Sequence, residues 1–384
     1  MALEPDKTVT KLLLSSTSRF VGEYKSDNWL LTHAWPASSE QGHGNLGINE
    51  NPLSRNFYVF AFKHPEFKQE SVVVPNYTAT GDDVCTYLSI LFGKRFENHG
   101  RIESHGDFYV PSLPPHGKTI TPWLPFNSHR PRSDIGVALD LSETARIAPL
   151  WEDEHKIDSR FRDFLNAAGG FYSRALRVAE EDPETAFLHF ITCGEILSNF
   201  REYEDRELLD TQMLHDLKRI ASNMDGGDKI ANRIRGRLFQ VRRKFVLTVT
   251  PLLSDAFYQG HESTEAFCAL KAEDIDRRVK AAYDLRSLYV HTGRPFGGWI
   301  ARTTRYIEEI QLGTPVIEDK KFKKIISDSP TLIGLERIMR FCLLSFIHRH
   351  AFNIDNRLDW EPNTCSEGGC QGFFNSFQDK FARM

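Results

Sequence analysis

Between residues 158 and 350, apolar side chains recur with the period of an α-helix. Phe161, Leu165 and Ala168 are three or four residues apart, which places them on one helical face. Asp182 followed by Pro183 is typical of a helix start, because an aspartate caps the first turn and proline fits the first helical position. The pattern predicts a helical bundle. Further helices are expected at about 206–222, 228–248, 274–291, 299–311 and 330–349.

The first 150 residues are instead rich in Pro, Gly, Asn and His. Short β-branched and aromatic runs at 57–62, 71–74, 108–110 and 136–139 predict strands. One helix, from Asp82 to Phe92 with Asp82 or Asp83 near its cap, interrupts them. The sequence therefore predicts an α+β protein: a β-rich domain (1–150), an all-α domain (151–353) and a loop-like tail (354–384).

Charge, apolar runs and cysteine content limit the classes of function that the protein can have. The formal charge of −4 means that any surface for nucleic acid must be a local one. No secretion leader is evident, and the longest apolar run, near residue 342, is too short to cross a bilayer. We expect a cytoplasmic protein with no membrane partner. The six scattered cysteines predict no disulfide framework, although Cys365 and Cys370, after two histidines, leave a zinc site open.

Arg286 and His291 lie near the end of the predicted 274–291 helix, which closes at Gly293. Arg286 is in register with an apolar face, so its guanidinium must meet an anion or reach water. On a regular helix the two residues are roughly 140° apart in azimuth. We expect the Thr-Gly end to let the last turn relax, so that His291 points toward a cleft.

An arginine near a titratable histidine is a workable set for cleaving a phosphodiester. The arginine would stabilise a phosphorane-like transition state, and the histidine would act as general base or acid. With the RNA 2′-OH as nucleophile no metal is needed, and the products are a 2′,3′-cyclic phosphate and a 5′-OH.

Arg, four residues, then His near the end of a late helix resembles the signature of the HEPN superfamily. The context Ala281-Ala-Tyr-Asp-Leu-Arg-Ser-Leu-Tyr-Val-His-Thr-Gly293 is similar to the Apea-like HEPN branch, found among bacterial anti-phage and abortive-infection proteins. The 186–197 helix, with Glu195, also resembles that branch, in which an early acidic residue faces the active helix. Ser287 stands where many active members have Asn, Asp or His.

The resemblance implies a HEPN helical bundle over about residues 160–350, acting as a metal-independent and cofactor-free endoribonuclease in abortive infection. It implies a homodimer, because HEPN active sites commonly form where two such domains meet. A β-rich sensing domain before the HEPN domain is also similar to that branch's layout. We expect residues 1–150 to respond to a phage-derived trigger.

A local basic stripe runs from Lys218 to Lys244, and most of its cations crowd one predicted helix, with Phe239 and Phe245 between them. It is either an RNA-guiding surface or a solvated face that pairs with acids. Its candidate RNA-binding residues are Arg233, Arg237, Arg242, Arg243 and Lys244. Ser287 and Tyr289 join this set, although Tyr289 is either a base-stacking residue or a core residue.

Three other interpretations stay open. Glu195 either orients Arg286 or is a solvated helix residue. The helical domain is alternatively a catalytically silent HEPN module that binds a nucleotide, nucleic acid or protein, in which case Arg286 pairs with an acid inside one subunit. It is otherwise a plain scaffold. The near miss to a phosphate-binding loop at Gly117-Lys118-Thr119 is rejected, because Pro122 and Pro125 forbid the helix that must follow.

Overall fold

A computed structural model describes residues 9–16, 20–34, 56–64, 77–104, 108, 139–237, 240–301 and 307–354. The protein is an α+β structure, with an antiparallel sheet first and helices after it. The strands are β1 (Val9–Ser16), β2 (Phe20–Val21), β3 (Tyr24–Lys25), β4 (Trp29–His33), β5 (Asn56–Lys63), β6 (Phe96–Glu103) and β7 (Leu139–Asp140). The helices are α1 (Thr78–Phe92), α2 (Pro149–Glu152), α3 (Ser159–Val178), α4 (Pro183–Ser198), α5 (Asp205–Leu208), α6 (Thr211–Asn223), α7 (Gly227–Arg237), α8 (Val241–Leu252), α9 (Asp255–Gln259), α10 (Ile275–Thr292), α11 (Gly297–Ile300), α12 (Lys320–Asp328) and α13 (Leu332–His350).

The sheet has the strand order β3-β4-β5-β1-β6, and every neighbouring pair is antiparallel. Alternation along β5 explains its apolar run, since successive side chains point to opposite faces of a strand. Tyr58, Phe60 and Phe62 join the main core together with α1, whereas Val59 and Ala61 join a smaller cluster with Phe108. The predicted strand at 57–62 is therefore confirmed, and it is buried on both faces.

The other predictions for the first 150 residues have mixed outcomes. The run 71–74 lies outside the described residues, only Phe108 of 108–110 is described, and Leu139 begins β7. The predicted helix exists as α1, but it begins at Thr78 and Tyr77 is its N-cap. The prediction of an aspartate cap was wrong. Asp82 instead accepts a hydrogen bond from the Asn98 side chain at 3.0 Å.

In the helical half, the cap at Asp182 is confirmed, because its carboxylate accepts the Thr185 backbone N–H at 3.0 Å. The helices expected near 274–291 and 330–349 are α10 and α13. The region 206–222 forms α5 and α6, and 228–248 forms α7 and α8. The helix expected at 299–311 was wrong: α11 ends at Ile300, and residues 307–311 are non-helical with an isolated bridge from Ile310 to Pro330.

Helix α1 connects the sheet to the helices, packing on β1 and β6 on one side and on α3 and α13 on the other. One hydrophobic core therefore runs from Leu12 in β1 to Ile354 after α13. Arg340 of α13 adds polar links, donating to the backbone oxygens of Ile90 (2.8 Å) and Leu91 at the end of α1. These carbonyls have no partner within their own helix, so the arginine satisfies them.

The predictions about the C-terminal tail and about membrane crossing can be compared with the structure only for the described residues. Of the predicted tail 354–384, the structure describes only Ile354. In the described part of the chain, no helix is both long enough and apolar enough to cross a membrane.

Candidate functional site

Helix α10 carries both residues of the predicted site. Its buried face consists of Ile275, Val279, Ala282 and Leu285, at helical spacing. The helix ends at Gly293, whose φ of 66° is left-handed and whose N–H donates to the Tyr289 oxygen at 2.7 Å. The opposite face remains at the surface of the single chain.

Arg286 lies at the edge of that exposed face and pairs with Glu195 of α4. Its Nη2 is 3.3 Å from Glu195 Oε2, and the two side chains are 26% and 16% exposed. Tyr283, one turn earlier, donates from its hydroxyl to Glu195 Oε1 at 2.9 Å. The guanidinium also lies 5.8 Å from the centre of the Tyr283 ring. One carboxylate thus holds both the arginine and the tyrosine.

The phenol of Tyr283 is a permanent donor in this cluster. Burial, and then the charge and hydrogen bond of Glu195, raise the pKa of Tyr283 to about 12. The hydroxyl consequently keeps its proton at neutral pH and occupies one oxygen of Glu195. The other oxygen is left for Arg286, which fixes the side on which the guanidinium lies.

Close helix packing sets the position of Glu195. At the preceding residue, Gly194, an added Cβ would lie 2.4 Å from the Phe245 ring of α8 and 3.2 Å from the Met339 sulfur of α13. Only glycine allows this approach. The Phe245 ring in turn lies 5.5 Å from the Tyr283 ring, so α4, α8 and α10 meet directly beneath the charged cluster.

His291 is exposed in the last turn of α10 and makes no hydrogen bond or ion pair with any residue that the structure describes. The helix stays regular through Thr292, so the expected relaxation of its end was wrong. Arg286 and His291 therefore remain roughly 140° apart in azimuth and about 7.5 Å apart along the axis. A single chain does not bring the two side chains together.

Two of the residues between these two, Ser287 and Val290, lie on the solvent side of α10. Ser287 is half-buried, and Val290 is 53% exposed despite its apolar side chain. Tyr289 is different: it lies on the core side, with its ring edge-on to Phe296 at 5.3 Å. The structure thus places Tyr289 half-buried against the core rather than with the exposed candidate residues, which favours the core alternative over base stacking.

The basic stripe is divided between two helices, not carried on one as predicted. Gln240, with a φ of 43°, separates α7 from α8 in the left-handed conformation, which breaks a helix. Arg233 and Arg243 are exposed, whereas the side chain of Arg237 lies outside the described set. Lys244 is half-buried, with its amine 5.8 Å from the Tyr203 ring.

Arg242 is the member of the stripe that reaches the site. Its guanidinium pairs with Asp284 of α10 at 2.9 Å. Asp284, Ser287 and His291 follow one another at three- and four-residue spacing, so they lie on one face of the helix. The structure thus pairs Glu195 with Arg286 on one side of α10, and it places Ser287, His291 and the Arg242–Asp284 pair along another side of the same helix.

Comparisons with known proteins found no match: no family model, no curated protein and no solved structure matches the chain. Within the described ranges, no three His, Cys, Asp or Glu side chains gather as a metal-binding group, and Cys365 and Cys370 fall outside those ranges. The four described cysteines, Cys85, Cys193, Cys268 and Cys342, are buried and unpaired.

Proposed function

We propose that the chain is a HEPN-type, metal-independent endoribonuclease that acts in the cytoplasm in anti-phage defence by abortive infection. The observation that carries the proposal is the placement of Arg286. Glu195 and Tyr283 hold its guanidinium at the solvent edge of the helix that also presents an exposed His291. A fixed cation and an accessible imidazole are suited to RNA cleavage by its own 2′-OH once the two groups meet across a pair of α10 helices.

The reaction follows from these two groups. One imidazole takes the proton of the 2′-OH, whose oxygen attacks the adjacent phosphorus while the bond to the 5′ oxygen breaks. Arg286 stabilises the charge that develops on the phosphoryl oxygens. The leaving 5′ oxygen takes up a proton from a protonated histidine or from water, which yields a 2′,3′-cyclic phosphate and a 5′-OH.

The separation of Arg286 from His291 on one helix favours a homodimer. Two copies related by a two-fold axis would face their α10 surfaces, so that the arginine of one chain meets the histidine of the other. Val290 supports this arrangement, because its azimuth lies between the two residues and its apolar side chain is 53% exposed. The active site of the proposed enzyme is thus shared between two copies.

A second function has one observation in its favour. Arg286 already has an anionic partner, Glu195, inside a single chain, as a structural arginine does. The alternative is therefore a catalytically silent HEPN module that binds a nucleotide, nucleic acid or protein through the same face. The 26% exposure of the arginine side chain favours the enzyme, since part of the guanidinium remains accessible.

Cleavage assays on the purified protein and its variants distinguish the endoribonuclease from the catalytically silent module. With phage components added as the trigger, we expect the intact chain to cut RNA in the presence of EDTA, leaving 5′-OH and cyclic phosphate ends. His291→Ala and Arg286→Ala each abolish these ends, whereas His215→Ala, at an exposed histidine of α6, leaves them unchanged. Equal cleavage by the parent and His291→Ala would refute the enzyme.

Mixing the two inactive variants tests whether the site is shared. If Arg286 and His291 act across the dimer, random exchange restores about a quarter of the parent activity, because half of the dimers contain one complete site of two. No recovery after verified subunit exchange would place both residues in the same chain's site and reject the shared arrangement.

The proposed function also includes activation by a phage-derived trigger. Residues 1–150 would hold the dimer inactive until a phage component binds. Bacteria expressing the intact chain or His291→Ala, with and without phage, are compared by sequencing RNA 5′-OH ends. New ends that need both phage and His291 are expected, and ends that appear equally without phage would contradict the trigger.

A further inference from the structure

A second feature of α10 is a surface groove between this helix and α12. It encloses roughly 270 Å³, less than the roughly 300–1,000 Å³ of small-molecule pockets. Its charged lining residues are Arg277, Lys280, Asp284, Lys321, Lys324 and Asp328, with Ala281 and Ile325 between them. The size fits an extended ligand lying along the surface better than an enclosed small molecule.

The two acids of the groove are already neutralised. Asp284 pairs with Arg242 from α8, and Asp328 pairs with Arg277. Lys280, Lys321 and Lys324 are exposed and form no ion pair with any described residue. The groove therefore presents three uncompensated positive charges in a protein whose formal charge is −4.

Helix α12 carries its lysines at a cost to its own stability. Lys320 and Lys321 occupy the first turn, where the helix dipole favours anions, and no acidic residue is present there. Lys320 and Lys324 are also like charges four residues apart, which repel each other. Asp319 caps the helix and pairs with Arg294, but the lysines lack such partners among the described residues. Sequences break local rules of this kind mostly at functional or strained sites.

The groove leads to the proposed active site. Lys280, Asp284, Ser287 and His291 follow at intervals of four, three and four residues, so they form one stripe along α10. Lys280 and His291 are eleven residues apart, about 16 Å along the axis. A chain of a few nucleotides spans that distance.

We propose that the α10–α12 groove binds the sugar–phosphate backbone of single-stranded RNA and guides it to His291. This inference rests on the proposed function for its choice of RNA. Both walls are helices whose backbone donors are bonded internally, so an acidic peptide finds no strand edge to extend. A nucleic acid carries one charge per nucleotide, which suits a row of lysines.

Binding to an uncleavable RNA tests the groove directly. The probe is a labelled single-stranded oligonucleotide with 2′-O-methyl groups throughout, measured against the full-length protein over a range of salt concentrations. Lys280→Gln with Lys324→Gln is expected to weaken binding about tenfold and to reduce the slope of log affinity against log salt by about 1.4, for two lost phosphate contacts. The matched control, Lys156→Gln with Lys271→Gln, removes two exposed lysines elsewhere.

The results of the binding and cleavage measurements distinguish the groove proposal from the proposed cleavage reaction. An unchanged salt slope in the groove variant, or equal losses in groove and control variants, overturns the groove. Polyglutamate that competes as well as unlabelled RNA at equal charge also overturns it. His291→Ala should bind the probe like the parent. If it also cleaves ordinary RNA like the parent, the proposed reaction fails even where the groove result stands.

Discussion

At the scale of single residues, Glu195 decides what Arg286 can do. Its carboxylate accepts from both Tyr283 and Arg286, so it fixes the direction of the guanidinium without contacting a phosphate itself. The pairing also lowers the net positive charge available to substrate. Glu195 is therefore a positioning residue in the proposed reaction, and its effect should appear in the catalytic step rather than in RNA binding.

Glu195→Gln keeps the shape and the acceptor for Tyr283 but removes the charge. We expect kcat to fall about tenfold with KM nearly unchanged, because one charge-assisted hydrogen bond of about 1.4 kcal/mol no longer orients the guanidinium. Glu181→Gln, at an exposed glutamate before α4, serves as the control. A parent-like kcat for Glu195→Gln would show that the ion pair is only structural.

The sequence allowed part of this site to be predicted. The Arg286–His291 spacing and the pairing of Glu195 with α10 followed from the resemblance, and the structure brings Glu195 and Arg286 together. Tyr283 was missed, although it lies three residues before Arg286 and so shares its side of the helix. Tyr289 was ambiguous because spacing alone does not say how far the apolar face of a helix extends. In the structure the Tyr289 ring packs against Phe296, which lies beyond the end of the helix, so Tyr289 is on the core side.

At the scale of elements, long-range contacts explain the helices that sequence patterns misjudged. Residues 299–311 have a helical pattern, yet Glu309 is fully buried in an ion pair with Arg337 of α13, at 3.0 Å. Its carboxylate also accepts the backbone N–H groups of Glu262 and Leu270, at 2.7 and 2.9 Å. A buried charge needs such partners. They come from distant segments, which local periodicity does not reveal.

The approach of α4 to α8 and α13 gives a prediction about packing. Gly194→Ala forces its Cβ against the Phe245 ring, so we expect a loss of about 1–3 kcal/mol in the free energy of unfolding. The matched control is Gly170→Ala in α3, where an added Cβ meets nothing within 4 Å. That change should stabilise by up to about 1 kcal/mol through helix propensity. Urea denaturation of both variants measures the difference, and a destabilised Gly170→Ala with a neutral Gly194→Ala would contradict the packing.

At the scale of the whole molecule, the predicted homodimer depends on the exposed end of α10. Val290→Asp places a charge in the middle of the proposed interface, so we expect the dimer to dissociate and cleavage to fall with it. Val316→Asp, at a valine that is 94% exposed, is the control. Sedimentation over a concentration range measures both. Dimers of unchanged affinity in Val290→Asp would exclude this face as the interface.

The sheet and the helices share one hydrophobic core, and this limits how residues 1–150 can be studied by deletion. The α+β class and the boundary near residue 150 were predicted from the change in composition, and the α+β class is confirmed. The packing of α1 on α3 and α13 was not predicted, because contacts between segments 80 and 340 leave no local trace in sequence. Deleting residues 1–150 would remove α1 and uncover apolar faces of both helices. Toxicity of such a fragment therefore measures unfolding as much as release from inhibition.

One core predicts one unfolding transition. Far-UV circular dichroism follows mainly the helices, and fluorescence of a label placed on a cysteine introduced at Lys25 in β3 follows the sheet. We expect the two urea transitions to coincide, since α1 belongs to the same buried cluster as α13 and its final carbonyls are bound by Arg340. Arg340→Ala should lower both midpoints together, because it leaves the Ile90 and Leu91 carbonyls unpaired. If the sheet unfolded at a lower urea concentration than the helices, the first 150 residues would be a separable unit, and the deletion would become a fair test of the phage-responsive trigger.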